Sequence, residues 1–207
     1  MPEHSHQGHR GSAPSAQEME ERYRATAQVW SGSPNATLVD HVSDLPAGTA
    51  LDIGCGEGAD AQWLHERGWQ VLGIDFAPTA VARTKARGVP AEVATFDEFS
   101  HAPFDLVTVH YGSVRATAGE VALLEKLVGS GGTLLYVHHD MESEEIAMPE
   151  WLAENLTELT VQILRRSPRH VTSGAGAHHT SDVVLVAKCY VHEVFGLGVQ
   201  LLCGLGV

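Results

Sequence analysis

The chain has 207 residues, a length that suits one domain with a buried core. Its 13 lysines and arginines against 26 aspartates and glutamates give a formal net charge of −13 at pH 7. A protein this acidic lacks the positive field that sequence-independent nucleic-acid binding needs, so no nucleic-acid partner is expected.

The N-terminal segment is polar and rich in Ser, Gly and Pro, and it contains His4, His6 and His9. This composition predicts a flexible arm over residues 1–17, without a catalytic role. Binding of a transition metal by the three histidines is the alternative interpretation.

Export and membrane signals are missing from the sequence pattern. The N-terminal segment has no apolar core of the kind that a signal peptide needs, and no run approaches the roughly 18 apolar residues of a membrane span. The three cysteines, Cys55, Cys189 and Cys203, are odd in number and widely spaced, which favours free thiols in a reducing compartment. A cytoplasmic protein without a membrane contact is therefore expected.

From residue 18 the chain alternates helical and strand-like patterns, which predicts a single domain over residues 18–190. Two helices, "MEERYRATAQVW" and "ATLVDHVSDL", precede a first strand, "GTALDIG". The next segments in chain order are "ADAQWLHER" (helix), "WQVLGID" (strand), "PTAVARTKARG" (helix), "AEVATFD" (strand), "FDLVTVHY" (strand), "GEVALLEKLVGSGG" (helix) and "GTLLYVHHD" (strand). Short strands separated by helices indicate an α/β fold whose parallel sheet is covered on both faces, with ligands at the C-terminal edge of the strands.

After Trp151 the pattern changes to two strands, "LTVQILRRSP" and "SDVVLVAKCY", joined by "RHVTSGAGAHHT". These strands predict a terminal antiparallel hairpin. Residues 191–207 are apolar and glycine-rich, but the segment is too short and too broken by glycine to span a bilayer. A contact in a homodimer and an irregular extension are the two interpretations of this tail.

The turn "DIGCGEG" follows the first strand, and its G-x-G-x-G rhythm departs from the G-x-G-x-x-G fingerprint of dinucleotide-binding proteins. Glycine lets the backbone turn sharply and lets a ligand lie directly against it. Two carboxylates, those of Asp52 and Glu57, put negative charge where a phosphate would have to lie. A ligand with positive charge is expected instead, and S-adenosylmethionine carries an ammonium and a sulfonium but no phosphate.

At these residues the chain resembles the class I S-adenosylmethionine-dependent methyltransferases, whose first two motifs "LDIGCGEGADAQWLHERGWQVLGIDFAPTAV" matches nearly in full. The preceding "ERYRATAQVWSGSPN" is similar to the small bacterial branch related to thiopurine and tellurite-resistance methyltransferases, and the resemblance runs from about Tyr23 to Lys188. It implies a Rossmann-like, seven-stranded, mostly parallel sheet with an antiparallel last strand and helices on both faces. It also implies S-adenosyl-L-methionine as the cofactor.

The resemblance further implies a set of cofactor-binding residues. That set is Trp30, Asp52, Gly54, Cys55, Gly56, Gly58, Asp75, Phe76, Phe96, Asp97 and His110. Asp52 and the first glycines should contact the amino-acid portion of the cofactor, near Trp30, and Asp75 should contact the ribose. Asp97 is expected at the adenine amino group, with Phe96 packed on the ring, and a helix cap is the alternative role for Asp97.

Two histidine pairs are predicted at the ligand edge, in "HHD" at the end of the fifth strand and in "HHTSD" before the last strand. In the family's sheet these two strands are neighbours, so the pairs should meet above the methyl donor. His139 and His178 are the candidate catalytic bases, which a hydroxyl or ring N–H acceptor requires and a thiol does not. Histidines that merely form hydrogen bonds, and a metal site, are the alternatives; no metal is predicted.

These observations favour a methyltransferase that acts on the S, O, N or Se atom of a small molecule. A non-catalytic S-adenosylmethionine-binding or metal-responsive interaction protein is the second hypothesis. A nicotinamide-dependent reductase conflicts with the glycine spacing and with Asp52. The acceptor, the oligomeric state and the role of the tail remain open at this point.

Overall fold

The computed structural model describes residues 15–171, 174 and 177–190 of the chain. The arm, apart from its last three residues, and the tail over residues 191–207 therefore lie outside the described residues. The strands are β1 (Thr49–Ile53), β2 (Gln70–Asp75), β3 (Ala91–Val93), β4 (Phe104–His110), β5 (Val128–His139), β6 (Thr160–Pro168) and β7 (Ser181–Lys188). They form one sheet in the order β3-β2-β1-β4-β5-β7-β6.

The first five strands are parallel, and β7 runs antiparallel to both β5 and β6. This arrangement confirms the predicted seven-stranded sheet with a reversed last strand and the predicted terminal hairpin. The helices are α1 (Ala16–Ala25), α2 (Ala36–Val42), α3 (Ala59–Glu66), α4 (Pro78–Ala86), α5 (Ala118–Lys126) and α6 (Pro149–Asn155), with a 3-10 helix over Phe96–Glu98.

The central strands β1 and β4 are buried on both faces of the sheet. Successive residues of a strand point to opposite faces. Leu51 belongs to a hydrophobic cluster with Leu124 of α5 and Leu152 of α6. Its neighbour Ala50 belongs to a second cluster with residues of α2 and α3, among them Leu38. Helices therefore cover the sheet on both sides, as the alternating pattern predicts.

Several element boundaries differ from the prediction. The helix predicted through Trp30 ends at Ala25, and the glycine-rich end of the predicted fifth helix belongs to β5, which begins at Val128. That stretch passes so close to β4 that a Cβ on Gly132 would lie 2.9 Å from the carbonyl oxygen of Phe104. The helix α6 is not part of the predicted pattern.

The free cysteines that the sequence predicts are confirmed only in part. Cys55 is a free, buried thiol, but Cys189 is not free, so the prediction of free thiols is wrong at that position. Cys203 lies outside the described residues. Among the helices that the structure describes, none is long and apolar enough to cross a membrane.

Candidate active site

The glycine turn after β1 folds back onto the end of β2. Gly54, Gly56 and Gly58 all have positive φ angles, of 71°, 53° and 77°, which side chains other than glycine rarely adopt. The amides of Gly54 and Cys55 both donate to the carbonyl oxygen of Ile74, over 2.8 and 2.9 Å. A Cβ on Gly54 would have Gly112 Cα, at 3.7 Å, as its nearest neighbour, so this part of the turn has an open side.

Cys55 and Gly58 face the protein interior rather than that open side. The Cys55 sulfur lies 3.7 Å from Thr84 Oγ1 of α4. A Cβ on Gly58 would lie 2.7 Å from the same hydroxyl oxygen. Of the cofactor-binding residues expected in the turn, these two therefore serve the packing of the turn and α3 against α4.

Asp52 is a buried carboxylate at the end of β1. Its Oδ1 accepts a hydrogen bond from the Thr108 hydroxyl over 3.0 Å. Its Oδ2 is buried and accepts no hydrogen bond of normal geometry from the described residues, although the nearby Ala61 amide acts to lower the pKa of the carboxyl. Burial, with the negative charge of Asp60 nearby, raises the pKa of Asp52 well above its usual range. An unpartnered buried carboxylate oxygen of this kind suits a cationic ligand group.

Asp75 closes β2 and is also buried. It accepts hydrogen bonds from the amides of Gly56, over 3.0 Å, and Ala77, over 2.8 Å. Burial raises its pKa, and these two bonds oppose the rise. Asp75 thus ties the glycine turn to the start of α4, in addition to the ribose contact expected of it.

Glu57 has a role that the sequence pattern does not indicate. Its carboxylate accepts hydrogen bonds from the amides of Val29 and Trp30 and from Arg83. We call residues 23–30 the strap. Because Glu57 is covered by the strap and paired with Arg83, it does not contribute to the argument against a phosphate ligand, which rests on Asp52.

The strap places two aromatic side chains on the glycine turn. Trp30 Nε1 donates to the Tyr23 hydroxyl over 2.9 Å. Both atoms would lie 3.2 Å from a Cβ on Gly56. The structure therefore puts Trp30 beside the turn, as the resemblance implies.

The residues expected at the adenine end lie farther along the edge. Phe76 packs, half-buried, in a cluster with Met19 and Tyr23. Phe96 is half-buried against the main core. The side chain of Asp97 is 45% exposed and pairs with Arg115 over 2.7 Å. An aspartate that is already ion-paired and largely solvated is a weaker adenine ligand than the resemblance implies.

His110, at the end of β4, is buried under α2. Its Nε2 lies 3.0 Å from the Thr37 hydroxyl. Its Nδ1 lies 3.3 Å from a carboxylate oxygen of Asp60, without hydrogen-bond alignment. Burial lowers the pKa of His110, which outweighs the opposing effect of Asp60. His110 is therefore a neutral imidazole at pH 7, and it lines the site.

The predicted meeting of β5 and the last strand is confirmed by the sheet register, which pairs His139 with Asp182. His139 Nδ1 lies 3.0 Å from Asp182 Oδ1. The side chains are 12% and 5% exposed. A carboxylate at this position holds the imidazole in one orientation and leaves Nε2 as the nitrogen that can accept a proton.

Tyr111 and Arg169 complete this group. The Tyr111 hydroxyl donates to Asp182 Oδ2 over 2.8 Å, and Arg169 donates to the Tyr111 hydroxyl and to Asp182. Tyr111 has a φ of 59° and is the one residue other than glycine with positive φ in the described part of the chain. Such backbone strain often marks functional sites.

The histidine rings form a stack in which His139 is central. The rings of His139 and Tyr111 stack with centroids 4.2 Å apart, and those of His139 and His179 with centroids 3.6 Å apart. His178, the second predicted base, is exposed and lies against His179 rather than His139. With both ring faces covered, His139 can meet a substrate only at its edge.

The ionisation states in this group are set by burial and by neighbouring charges. Burial acts to raise the pKa of Asp182, but the bonds from His139 and Tyr111 and the charge of Arg169 outweigh it and lower that pKa. Burial and the other histidines lower the pKa of His179 to about 4. At pH 7 Asp182 is therefore ionised and His179 neutral.

The sequence pattern predicts that the two histidine pairs meet at this edge, but it misses Arg169 and the bonds that join Tyr111 and Arg169 to Asp182. The one sequence signal for Arg169 is its position directly after the end of β6, at the ligand edge. No group of three or more His, Cys, Asp or Glu residues that could hold a metal ion exists within the described ranges.

Part of the chain matches a known protein family. Residues 50–132 match the family model described as a methyltransferase domain. A ribosomal RNA small subunit methyltransferase C from Chromohalobacter salexigens is 31% identical over 130 residues, covering 56% of this chain and 38% of that protein. A 2-heptyl-1-hydroxyquinolin-4(1H)-one methyltransferase from Mycobacteroides abscessus is 40% identical over 70 residues, covering 33% of this chain and 30% of that protein.

The regions of this chain that match therefore cover well under half the length of each of these two relatives. Among solved structures, the N-methyltransferase NodS of Bradyrhizobium japonicum in complex with S-adenosylhomocysteine superposes with a TM-score of 0.68 at 20% identity. The superposition covers 85% of this chain and 99% of that one. At this identity the match establishes the shared fold.

Proposed function

We propose that this chain, which belongs to the class I S-adenosylmethionine-dependent methyltransferases, transfers a methyl group to a small-molecule acceptor. The observation that carries the proposal is the glycine turn, with its open side at Gly54 and the unpartnered buried oxygen of Asp52 beside it. A carboxylate with one oxygen still without a hydrogen-bond partner binds an ammonium group and opposes a phosphate.

The residues at the edge fit the cofactor. Asp52 would hold the ammonium of its amino-acid portion, Gly54 and Gly56 would let that portion lie on the backbone, and Asp75 would accept hydrogen bonds from the ribose. When bound, the sulfonium supplies a methyl group that is already activated for transfer. The task left to the protein is to orient the acceptor, exclude water and, for some acceptors, remove a proton.

Two observations support a small molecule as the acceptor. The M. abscessus relative acts, by its name, on a hydroxyquinolinone, and the charge of −13 opposes binding of a nucleic-acid backbone. The acceptor atom, whether S, O, N or Se, is part of what the experiments below determine. We also propose the domain bounds 18–190 and a homodimer on the sequence arguments given above, and a cytoplasmic location without the argument from the cysteines, because Cys189 is not free.

His139 is the base that we propose for an oxygen or nitrogen acceptor. Asp182 fixes its Nδ1 over 3.0 Å, so Nε2 faces any group at the edge of the ring stack. His178 lies one ring farther out, against His179, so its proposed part is to orient the acceptor. Asp97 and Phe96 remain proposed adenine contacts, and the ion pair of Asp97 with Arg115 makes it the weaker of the two.

Ligand preference tests the cofactor assignment. S-adenosylhomocysteine, which retains the ammonium of the cofactor, is expected to bind at least tenfold more tightly than NADH, because Asp52 attracts an ammonium and repels a pyrophosphate. Isothermal titration calorimetry with each ligand measures the difference. Tighter binding of NADH would refute the proposed function.

A panel of acceptors tests the reaction. The protein is incubated with methyl-labelled S-adenosylmethionine and with phenol, thiophenol and benzeneselenol, which differ only in the acceptor atom, and with 4-hydroxyquinoline as a heterocyclic acceptor. Label transfer to any of them establishes catalysis and identifies the atom class. Tight cofactor binding without transfer to a broad panel would favour the non-catalytic binding protein instead.

A further inference from the structure

We propose that Glu57 and Arg83 are positioning residues that hold the strap on the glycine turn, so that cofactor affinity depends on a carboxylate that does not touch the cofactor. This inference rests on the proposed function, because it takes the turn as the cofactor site. Nothing in the family match or in the named relatives assigns a role to either side chain.

Glu57 is fully engaged by the strap and by Arg83. Its Oε2 accepts from the amide of Trp30 over 2.9 Å and from that of Val29 over 3.2 Å. Its Oε1 accepts from the Val29 amide over 3.1 Å and from Arg83 Nη1 over 2.6 Å. The side chain is 5% exposed. A carboxylate so enclosed has no free face for a ligand, and its role is to bind the strap.

Arg83 ties a second part of the strap to α4. Its Nη2 donates to the carbonyl oxygens of Tyr23, over 2.7 Å, and Thr26, over 2.6 Å. One guanidinium therefore bridges the Glu57 carboxylate and two backbone carbonyls at the end of α1. The planar, forked geometry of arginine suits this bridge, and a lysine ammonium cannot reproduce it.

These bonds explain why the strap leaves the helical path after Ala25. Val29 and Trp30 donate their amides to Glu57 instead of to helical carbonyls. The turn so formed places Tyr23 and Trp30 against Gly56, each 3.2 Å from the position of a Cβ there. Release of the strap would remove this aromatic wall from the turn and expose it to water.

The charges around Glu57 and Asp52 are consistent with different roles for these two carboxylates. Glu57 is neutralised by Arg83 at 2.6 Å, so it adds little to the negative potential at the turn. Asp52, by contrast, has an oxygen without a partner among the described residues and is left to attract a cation. Glu57 thus binds the strap, whereas Asp52, five residues earlier, has an oxygen that can bind a cationic ligand group.

Glu57→Gln tests the inference, because it keeps the size of the side chain while it turns one acceptor into an amide donor. That donor faces backbone N–H groups and Arg83, so the strap loses its anchor. We expect affinity for S-adenosylhomocysteine to fall at least tenfold in calorimetry. We also expect trypsin to cleave at Arg22 and Arg24 faster in the variant than in the parent.

Glu20→Gln is the matched control. Glu20 accepts hydrogen bonds from the amide and the hydroxyl of Thr79, over 3.0 and 2.7 Å, and so fastens α1 to the same helix α4. It does not bond to Val29 or Trp30. Its substitution should leave the affinity for S-adenosylhomocysteine within twofold of the parent. Thermal unfolding of both variants shows whether each is folded at the temperature of the titration.

The outcomes separate this inference from the proposed function. If the parent does not bind S-adenosylhomocysteine, the proposed function fails, while faster tryptic cleavage of Glu57→Gln would still establish the anchor. If the parent binds and Glu57→Gln binds equally well, or if Glu20→Gln loses affinity to the same extent, the inference is wrong. Should Glu57→Gln not fold, Arg83→Lys, which keeps the charge but not the bridge to Tyr23 and Thr26, is expected to give the same loss, and parental affinity in it would overturn the inference.

Discussion

Replacement of Asp52 by Asn is expected to stabilise the protein and to weaken its cofactor binding at the same time. The buried carboxylate has one unpartnered oxygen and lies near the charge of Asp60. Removing the charge should raise the free energy of unfolding at pH 8 by about 1 kcal/mol, as substitutions of strained functional groups commonly do. Affinity for S-adenosylhomocysteine should fall tenfold or more, since the ammonium loses its counter-charge.

The pH dependence of both quantities follows from the raised pKa of Asp52. An acid whose pKa is higher in the folded state loses stability as pH rises from its unfolded value toward its folded value, so the advantage of the Asn variant should grow with pH. A bound ammonium favours the ionised carboxylate, so binding releases a proton. Parent affinity should therefore rise with pH up to the pKa of the free carboxyl.

Urea unfolding and calorimetry at several pH values, carried out on parent and Asp52→Asn, measure these effects. The variant should show a binding affinity that varies much less with pH. Thr108→Val is a useful companion, because it removes the hydroxyl that donates to Asp52 over 3.0 Å but leaves the charge in place. An Asp52→Asn variant that binds as tightly as the parent would show that the carboxylate does not meet the ammonium.

The ligand edge of the fold could be predicted because it depends on short-range patterns. Alternating strands and helices fix a parallel sheet, and a reversed last strand beside β5 brings Asp182 opposite His139 without any knowledge of side chains. The glycine turn is likewise local, since its positive φ angles require glycine at positions 54, 56 and 58.

The side chains that complete the site depend on long-range packing and could not be predicted. Arg169 reaches Asp182 across the β6–β7 loop, and Tyr111 reaches it from the end of β4. Glu57 meets Val29 from 28 positions away. A single sequence does not show which of its many carboxylates finds an arginine or a backbone amide, because that choice is made by tertiary packing.

His139→Ala is expected to lower turnover about 10²-fold or more for a hydroxyl or ring N–H acceptor, with affinity for S-adenosylhomocysteine nearly unchanged. The imidazole removes the proton from such an acceptor, and the stacked neighbour His179 is a poor replacement for it, because the pKa of His179 is lowered to about 4. A thiol supplies its own thiolate near neutral pH, so its methylation should change little.

Asp182→Asn should act through His139 rather than on the acceptor. The amide keeps the shape of the side chain but loses the charged acceptor that holds His139 through Nδ1, so the imidazole loses its fixed orientation and turnover with a hydroxyl acceptor should fall. The nitrogen chemical shifts of the His139 ring report which ring nitrogen carries the proton and measure the first effect without any substrate. Asp140→Asn is the matched control, because Asp140 lies at the same strand end but pairs with Arg166 on the surface.

The position of His178 separates the two predicted bases. It is exposed and contacts His179 instead of His139, so His178→Ala should reduce turnover several-fold at most, through the orientation of the acceptor. Equal, large losses in His139→Ala and His178→Ala would mean that the outer histidine is the base. If neither variant affects methylation of any accepted hydroxyl, amine or thiol, the ring stack serves the packing of β5 against β7, and the proton leaves the acceptor without help from a histidine.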